Sequence, residues 1–206
     1  MPIKTLLRLA TASLLALLLS ACAVLNPPEQ SAVRWELRAD PEVPDDAGTP
    51  IEGGLQVARV RAESSIDSTS MLYRERDFEP RYYSRNQWVE RPTRQLQAAL
   101  VNSLDAAGIA DAVLRSPTDV NTRYRLEVEL LALEHDYRVE PPEAELRLRV
   151  MVMDQERPGV VASRVIRLRE PMEEANPAAG VAATNRALLK ALNEIRALIP
   201  AVLEAS

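Results

Sequence analysis

Nucleophilic or acid–base chemistry near neutral pH has one thiol and one imidazole to draw on in this 206-residue chain, Cys22 and His135. Cys22 lies in LLLSACAV, Leu17 to Val24, where the most apolar run stops. With no second cysteine it cannot form an intramolecular disulfide, so the fold must hold by packing. His135 lies in LEHDYR, near the end of a long alternating segment. A hydrolase triad would need it as the base for a serine, yet there is no Gly-x-Ser-x-Gly elbow and no His-Glu-x-x-His pair. The six glycines form no phosphate-cradling loop. A metal site would have to combine one imidazole with carboxylates, and no second ligand stands at a supporting spacing. These residues predict a surface or strand-end histidine, no metal, no cofactor and no enzyme.

The segment before Cys22 gives the thiol another use. Lys4 and Arg8 form a basic start, Leu9 to Leu19 is uncharged and apolar, and the small residues Ser20 and Ala21 follow. These are the three parts of a secretory signal. The apolar stretch falls short of the roughly 20 residues that span a bilayer. LSAC, Leu19 to Cys22, resembles the lipobox of bacterial lipoproteins. That resemblance implies cleavage between Ala21 and Cys22, diacylglycerol on the thiol, and acylation of the new amine. Ala23 stands where an aspartate would resemble an inner-membrane retention signal, which implies a lipid anchor in the outer membrane, facing the periplasm. An uncleaved inner-membrane anchor and a soluble secreted protein are the competing readings.

Charge narrows the partners. The chain carries a formal charge of −5; loss of Lys4 and Arg8 would leave 23 basic against 30 acidic residues, a net charge of −7. Nucleic acid demands a basic footprint and is excluded as a partner. Adhesion to anionic lipid by charge alone is excluded on the same ground.

The elements that would carry any site follow from periodicity. Residues 1–21 read as signal peptide and 22–31 as the lipidated start and a short tether with Pro27 and Pro28. Residues 32–206 read as a single α+β domain, an antiparallel sheet with two main helices on one face. Strands are expected over Val33–Leu37, Leu55–Arg61, Ala112–Leu114 and Gly159–Arg169. An acidic, proline-rich loop runs from Ala39 to Pro50. Met71–Arg74 and Arg81–Glu90 form a hairpin closed around Asp77–Pro80. A first helix begins at Pro92, carries Leu96, Leu100 and Leu104 on one stripe, and ends before Gly108. Tyr124–Leu130 and Ala144–Val152 alternate, which predicts an antiparallel pair with Glu127 and Glu129 sharing a face with Arg147 and Arg149. Met151 and Met153 fall on that face too; packing under a helix, against another subunit or on lipid all remain open. A last helix opens at Asn176 and Pro177, with Gly180 and Pro200 bounding its core.

RERDFEPRYYSRNQW, Arg74 to Trp88, concentrates arginines and four aromatics in the hairpin. Tyrosine, tryptophan and arginine favour interface anchors, so Tyr73, Arg74, Tyr82, Tyr83 and Trp88 are the candidate partner surface. The lipobox, the Met-Leu-Tyr-Arg strand, and Tyr83 followed by Trp88 and Pro92 resemble the ABC-type transport auxiliary lipoproteins, the PqiC/YmbA-like group. The resemblance covers about Val33 to Leu203; the acidic insertion at Ala39–Pro50 departs from it. It implies a non-catalytic subunit of an envelope lipid-transport system, with an ABC permease and ATPase and a periplasmic MCE-domain protein as partners. The lipoprotein would dock the far end of that conduit at the outer membrane, with a homo-oligomeric ring among the arrangements implied. An envelope lipoprotein that binds lipid or another apolar ligand, or a purely structural one, is the alternative.

Overall fold

The computed structural model describes residues 31–39, 50–157 and 159–204. In them the elements run β1 (Val33–Trp35), β2 (Leu55–Val57), β3 (Arg61–Ala62), β4 (Ser70–Arg76), β5 (Glu79–Trp88), α1 (Pro92–Ala106), β6 (Val113–Arg115), β7 (Tyr124–Asp136), β8 (Glu143–Asp154), β9 (Gly159–Pro171) and α2 (Pro177–Glu204). The leader with Ala21 and Cys22, the tether, and most of the acidic loop lie outside the described residues.

β7 is the axis of the sheet. Its Leu126, Val128 and Leu130 are buried and alternate with half-buried Arg125, Glu127 and Glu129, the two-residue period of a strand with one apolar face. β8 pairs antiparallel along one edge of β7, and β9 pairs antiparallel with β8. Along the other edge β2, β3 and β4 lie end to end and parallel to β7. β6 adds parallel to β2, β5 antiparallel to β4, and β1 parallel to β5.

The α+β class and the two helices agree with the sequence, but the sheet is mixed rather than antiparallel throughout. Connections explain this. Short turns join the antiparallel neighbours, whereas β2, β3 and β4 meet β7 only after α1 has carried the chain back across the sheet, which makes those pairs parallel. The strand expected over Leu55–Arg61 is divided into β2 and β3.

Pro92 opens α1, and Gly108, at φ 59°, turns the chain away after it. Leu96, Leu100 and Leu104 bury their stripe against β2 and β6, while α2 lies across β8 and β9 and touches α1. One core joins these leucines to Leu148, Val150, Leu188, Leu192 and Ile195. Residues from Val33 onward form one compact unit that holds the whole of this core, from Leu37 to Ile199.

Gly180 and Pro200 do not bound α2; the helix runs through both. Asn176 caps it, its Oδ1 accepting from the Ala179 N–H at 2.9 Å. Pro200 falls one turn before the end, where its missing N–H forfeits a single bond to the Arg196 carbonyl.

Candidate interaction site

Between Leu130 and Ala132 the register of β7 shifts: Leu130 faces Leu148, but Ala132 faces Arg147 and Leu133 faces Leu146. A bulge of this kind reverses the parity of everything beyond it. Leu133 and His135 therefore turn toward the helices, and Glu134 turns to the charged face. The expectation of a surface histidine is corrected by this: His135 stands next to last in its strand, yet it is 2 % exposed.

The buried imidazole is fully committed. Tyr83 Oη lies 3.0 Å from its Nδ1, Tyr137 Oη lies 2.6 Å from Tyr83 Oη, and Thr184 Oγ1 lies 3.4 Å from its Nε2. Thr184 donates its own proton to the Gly180 carbonyl at 2.9 Å. It can only accept from His135, so Nε2 carries the proton, Nδ1 accepts from Tyr83, and Tyr83 accepts from Tyr137. A directed chain of four hydrogen bonds thus ties the hairpin and β7 to the first turn of α2. Burial pushes the imidazole down to about 4, holding it neutral. Burial also raises the Tyr83 and Tyr137 phenols.

Of the five residues expected at a partner surface, the structure gathers two into this cluster. Tyr73 stacks on Tyr83 at 4.5 Å between ring centroids and meets Tyr137 edge-on at 6.0 Å. Arg74 holds both oxygens of Glu134, at 2.9 and 2.8 Å. Trp88 is buried in the core. Tyr82 is the exposed member, its hydroxyl reaching the Ser65 carbonyl at 3.2 Å.

The tip of the hairpin carries a feature the spacing did not single out. Phe78 is 98 % exposed, at φ 63°. Arg138, in the loop after β7, donates to Asp77 at 2.7 Å and to both oxygens of Asp136, tying loop to tip. Those bonds hold the Asp136 carboxyl below the usual carboxylate range. The available signal was an aromatic at a turn position where asparagine or glycine is the norm.

The face of the sheet away from the helices is laced with ion pairs. Arg149 pairs with Glu129 as expected, while Glu127 pairs with Arg61 and Arg125 rather than across to β8. Glu145 is held by Arg169 at 2.9 Å, with Arg147 and Arg167 at 3.8 Å. Met151 and Met153 are half-buried among these side chains, opposite Glu127 and Arg125, and not under a helix. A cleft of about 1060 Å³ beside the start of α1 is lined by charged side chains, among them Arg59, Arg91, Arg94, Arg115, Asp67 and Glu90, and by apolar ones, among them Leu37, Val60 and Val89. Among the described residues no group of three or more His, Cys, Asp or Glu side chains could hold a metal ion, and no helix is long and apolar enough to cross a membrane.

Fold and site together define a class: an α+β domain whose lone imidazole is locked inside, and whose outward features are a hairpin tip and an ion-paired sheet face. Residues 35–196 match the ABC-type transport auxiliary lipoprotein component, and the chain belongs to that family. Among solved structures, protein XCC0632 of Xanthomonas campestris is similar at 24 % identity and a TM-score of 0.65, over 81 % of this chain and 89 % of that one. An uncharacterized protein shares the fold at 13 % identity and a TM-score of 0.65, over 82 % of this chain and 99 % of that one. Lipoprotein GNA1162 of Neisseria meningitidis is more distant, at 10 % identity and a TM-score of 0.40, over 69 % of this chain and 97 % of that one. For the first two the likeness is one of fold. A search of curated proteins returned no match.

Proposed function

We propose that this protein is the non-catalytic, periplasm-facing lipoprotein subunit of an ABC system that moves phospholipid between membranes through an MCE-domain conduit. Anchored by Cys22 in the outer membrane, it docks the far end of that conduit. The observation that carries this reading is the family match from Trp35 to Arg196, nearly the whole domain, to a transport auxiliary lipoprotein. The locked state of His135 agrees with it, because an imidazole held neutral by burial and bonded at both nitrogens has no lone pair or proton to offer a substrate. Of the expected hairpin surface, exposed Tyr82 is the residue we carry forward as a partner contact. A homo-oligomer would meet through β9, a 13-residue strand whose pairing in the described sheet is with β8 alone.

The rival reading, a carrier that itself encloses an apolar ligand, finds less support. The layer between sheet and helices is filled by Leu126, Leu148, Val150, Leu188 and Ile195, and the large cleft sets arginines and carboxylates beside Leu37, Val60 and Val89. Affinity purification of the lipoprotein from its own envelope tests the proposal. An MCE-domain protein should come down with it; recovery of unrelated outer-membrane proteins alone would sink the idea.

A further inference from the structure

Phe78 is the only phenylalanine of the chain, and its ring stands almost wholly in water. Its backbone is in the left-handed region, where a bulky side chain is an outlier. Neither the exposure nor the strain helps the hairpin to form, since asparagine or glycine would make the same turn at lower cost. A second apolar side chain, Val139 in the loop that Arg138 ties to the tip, is exposed at the same end of the sheet.

Chain direction says what this end faces. β1 runs parallel to β5, with Val33 opposite Asn86 and Trp35 opposite Trp88. Because β5 starts at the tip, the N-terminal end of β1 is its tip-side end. Asn86 lies eight residues past Phe78, about 26 Å along the strand at ~3.3 Å per residue. Cys22 to Val33 is eleven residue steps, a reach of about 36 Å. The reach of that segment exceeds the distance from Asn86 to the tip.

Charge permits the approach. The hairpin carboxylates are all paired: Glu75 with Arg81 at 3.0 Å, Asp77 with Arg138 at 2.7 Å, and Glu79 with Arg81 at 2.6 Å. Arg76 makes only a 3.7 Å pair with Glu79 and is 76 % exposed, free to turn toward a lipid phosphate.

We propose that Phe78 inserts into the interfacial region of the phospholipid surface that carries the Cys22 anchor. The β4–β5 tip then becomes a second point of contact and fixes which end of the domain meets the membrane. This rests on the reading of Cys22 as the lipid-bearing residue.

The unique phenylalanine supplies its own probe. The chain from Cys22 onward, which keeps the whole core, is produced with 4-fluorophenylalanine. It is coupled through its one thiol to a maleimide phospholipid in nanodiscs of phosphatidylethanolamine and phosphatidylglycerol. The single fluorine resonance should be attenuated several-fold more by a nitroxide near the top of the acyl chain than by a gadolinium chelate in the water. The reverse order would overturn the proposal and leave a pocket on a partner protein as the occupant. Since the tether is made chemically, that failure is separate from a failure of Cys22 lipidation or of the transport reading, each of which has its own test.

Discussion

The ring of His135 fills the space in which Gly180 would carry a side chain: a Cβ there would stand 2.3 Å from Cε1 and 2.4 Å from Nδ1. The contact is made across two elements, the end of β7 and the first turn of α2. It explains why a glycine is kept inside a helix, where it costs about 1 kcal/mol relative to alanine.

Gly180→Ala should therefore destabilise the fold by about 2–3 kcal/mol, since the ring is held at both nitrogens and cannot retreat without breaking bonds to Tyr83 or Thr184. His135→Ala removes the obstacle and leaves a cavity. The double variant should be more stable than the two single losses added together, by about 1 kcal/mol or more. Urea unfolding of the four proteins measures this, and simple additivity would mean that the ring is not what excludes the methyl group.

The same histidine should make stability depend on pH. Its folded value, about 4, lies below the ordinary 6.5, so the unfolded chain binds the proton more readily between those two values. Stability should then fall as the pH drops from about 6.5 to about 4, by an amount on the order of 3 kcal/mol. Protonation would turn Nδ1 into a donor facing the Tyr83 hydroxyl, with Tyr73 and Tyr137 the other ionisable groups beside it. Asp136, held low by Arg138, loses its contribution only further down, as the pH falls through its own depressed value. Thermal melts from pH 7.5 to 4.5 should show the slope in the parent protein and a much flatter one in His135→Gln; equal slopes would refute it.

How far the sequence led can be read from these residues. Tyr124 to Leu130 alternates cleanly, so the β7–β8 pairing and its charged face were legible, as were the hairpin around Asp77 and the leucine stripe of α1. From Leu130 to Leu133 every residue is apolar, and a run without polar punctuation gives no parity. The bulge that turns His135 inward is fixed only by the opposing residues of β8. Parallel pairing escaped for a similar reason: two- and three-residue strands carry too little alternation to show which edge they join. The aromatics of the hairpin stand out as a group in the sequence, but which of them point inward depends on β7 and α2, so Trp88 belongs to the core while Tyr82 does not.

A further internal support is open to direct test. The side-chain amide of Gln97, buried on α1, donates toward three carbonyls, Ala58 and Ser116 at 3.1 Å and Val57 at 3.3 Å. It fastens the helix to the end of β2 and to the loop after β6. Gln97→Glu keeps the shape but sets oxygen against oxygen, so it should cost about 3 kcal/mol at neutral pH. Protonation of the new carboxyl restores one donor. Relative to the parent protein at the same pH, the deficit should shrink as the solution is acidified from pH 7 to 5, and a deficit independent of pH would count against the carbonyl contacts.

The anchor remains the prediction on which the position of the whole domain depends. Leu9 to Leu19 is too short to hold the protein in a bilayer as a helix, and the described residues supply no spanning helix to replace it. Acyl chains can do so, at about 0.8 kcal/mol per buried CH₂, but one chain binds only marginally. The modification proposed for Cys22 would supply two chains on the sulfur and a third on the amine, more than that single chain. Cys22→Ser keeps a hydroxyl of similar size but removes the thiolate that takes up diacylglycerol. The variant should lose labelling by an alkyne fatty acid and accumulate as uncleaved precursor of higher mass. Labelling at the parent level would refute the assignment, because no other thiol exists in the chain to carry it.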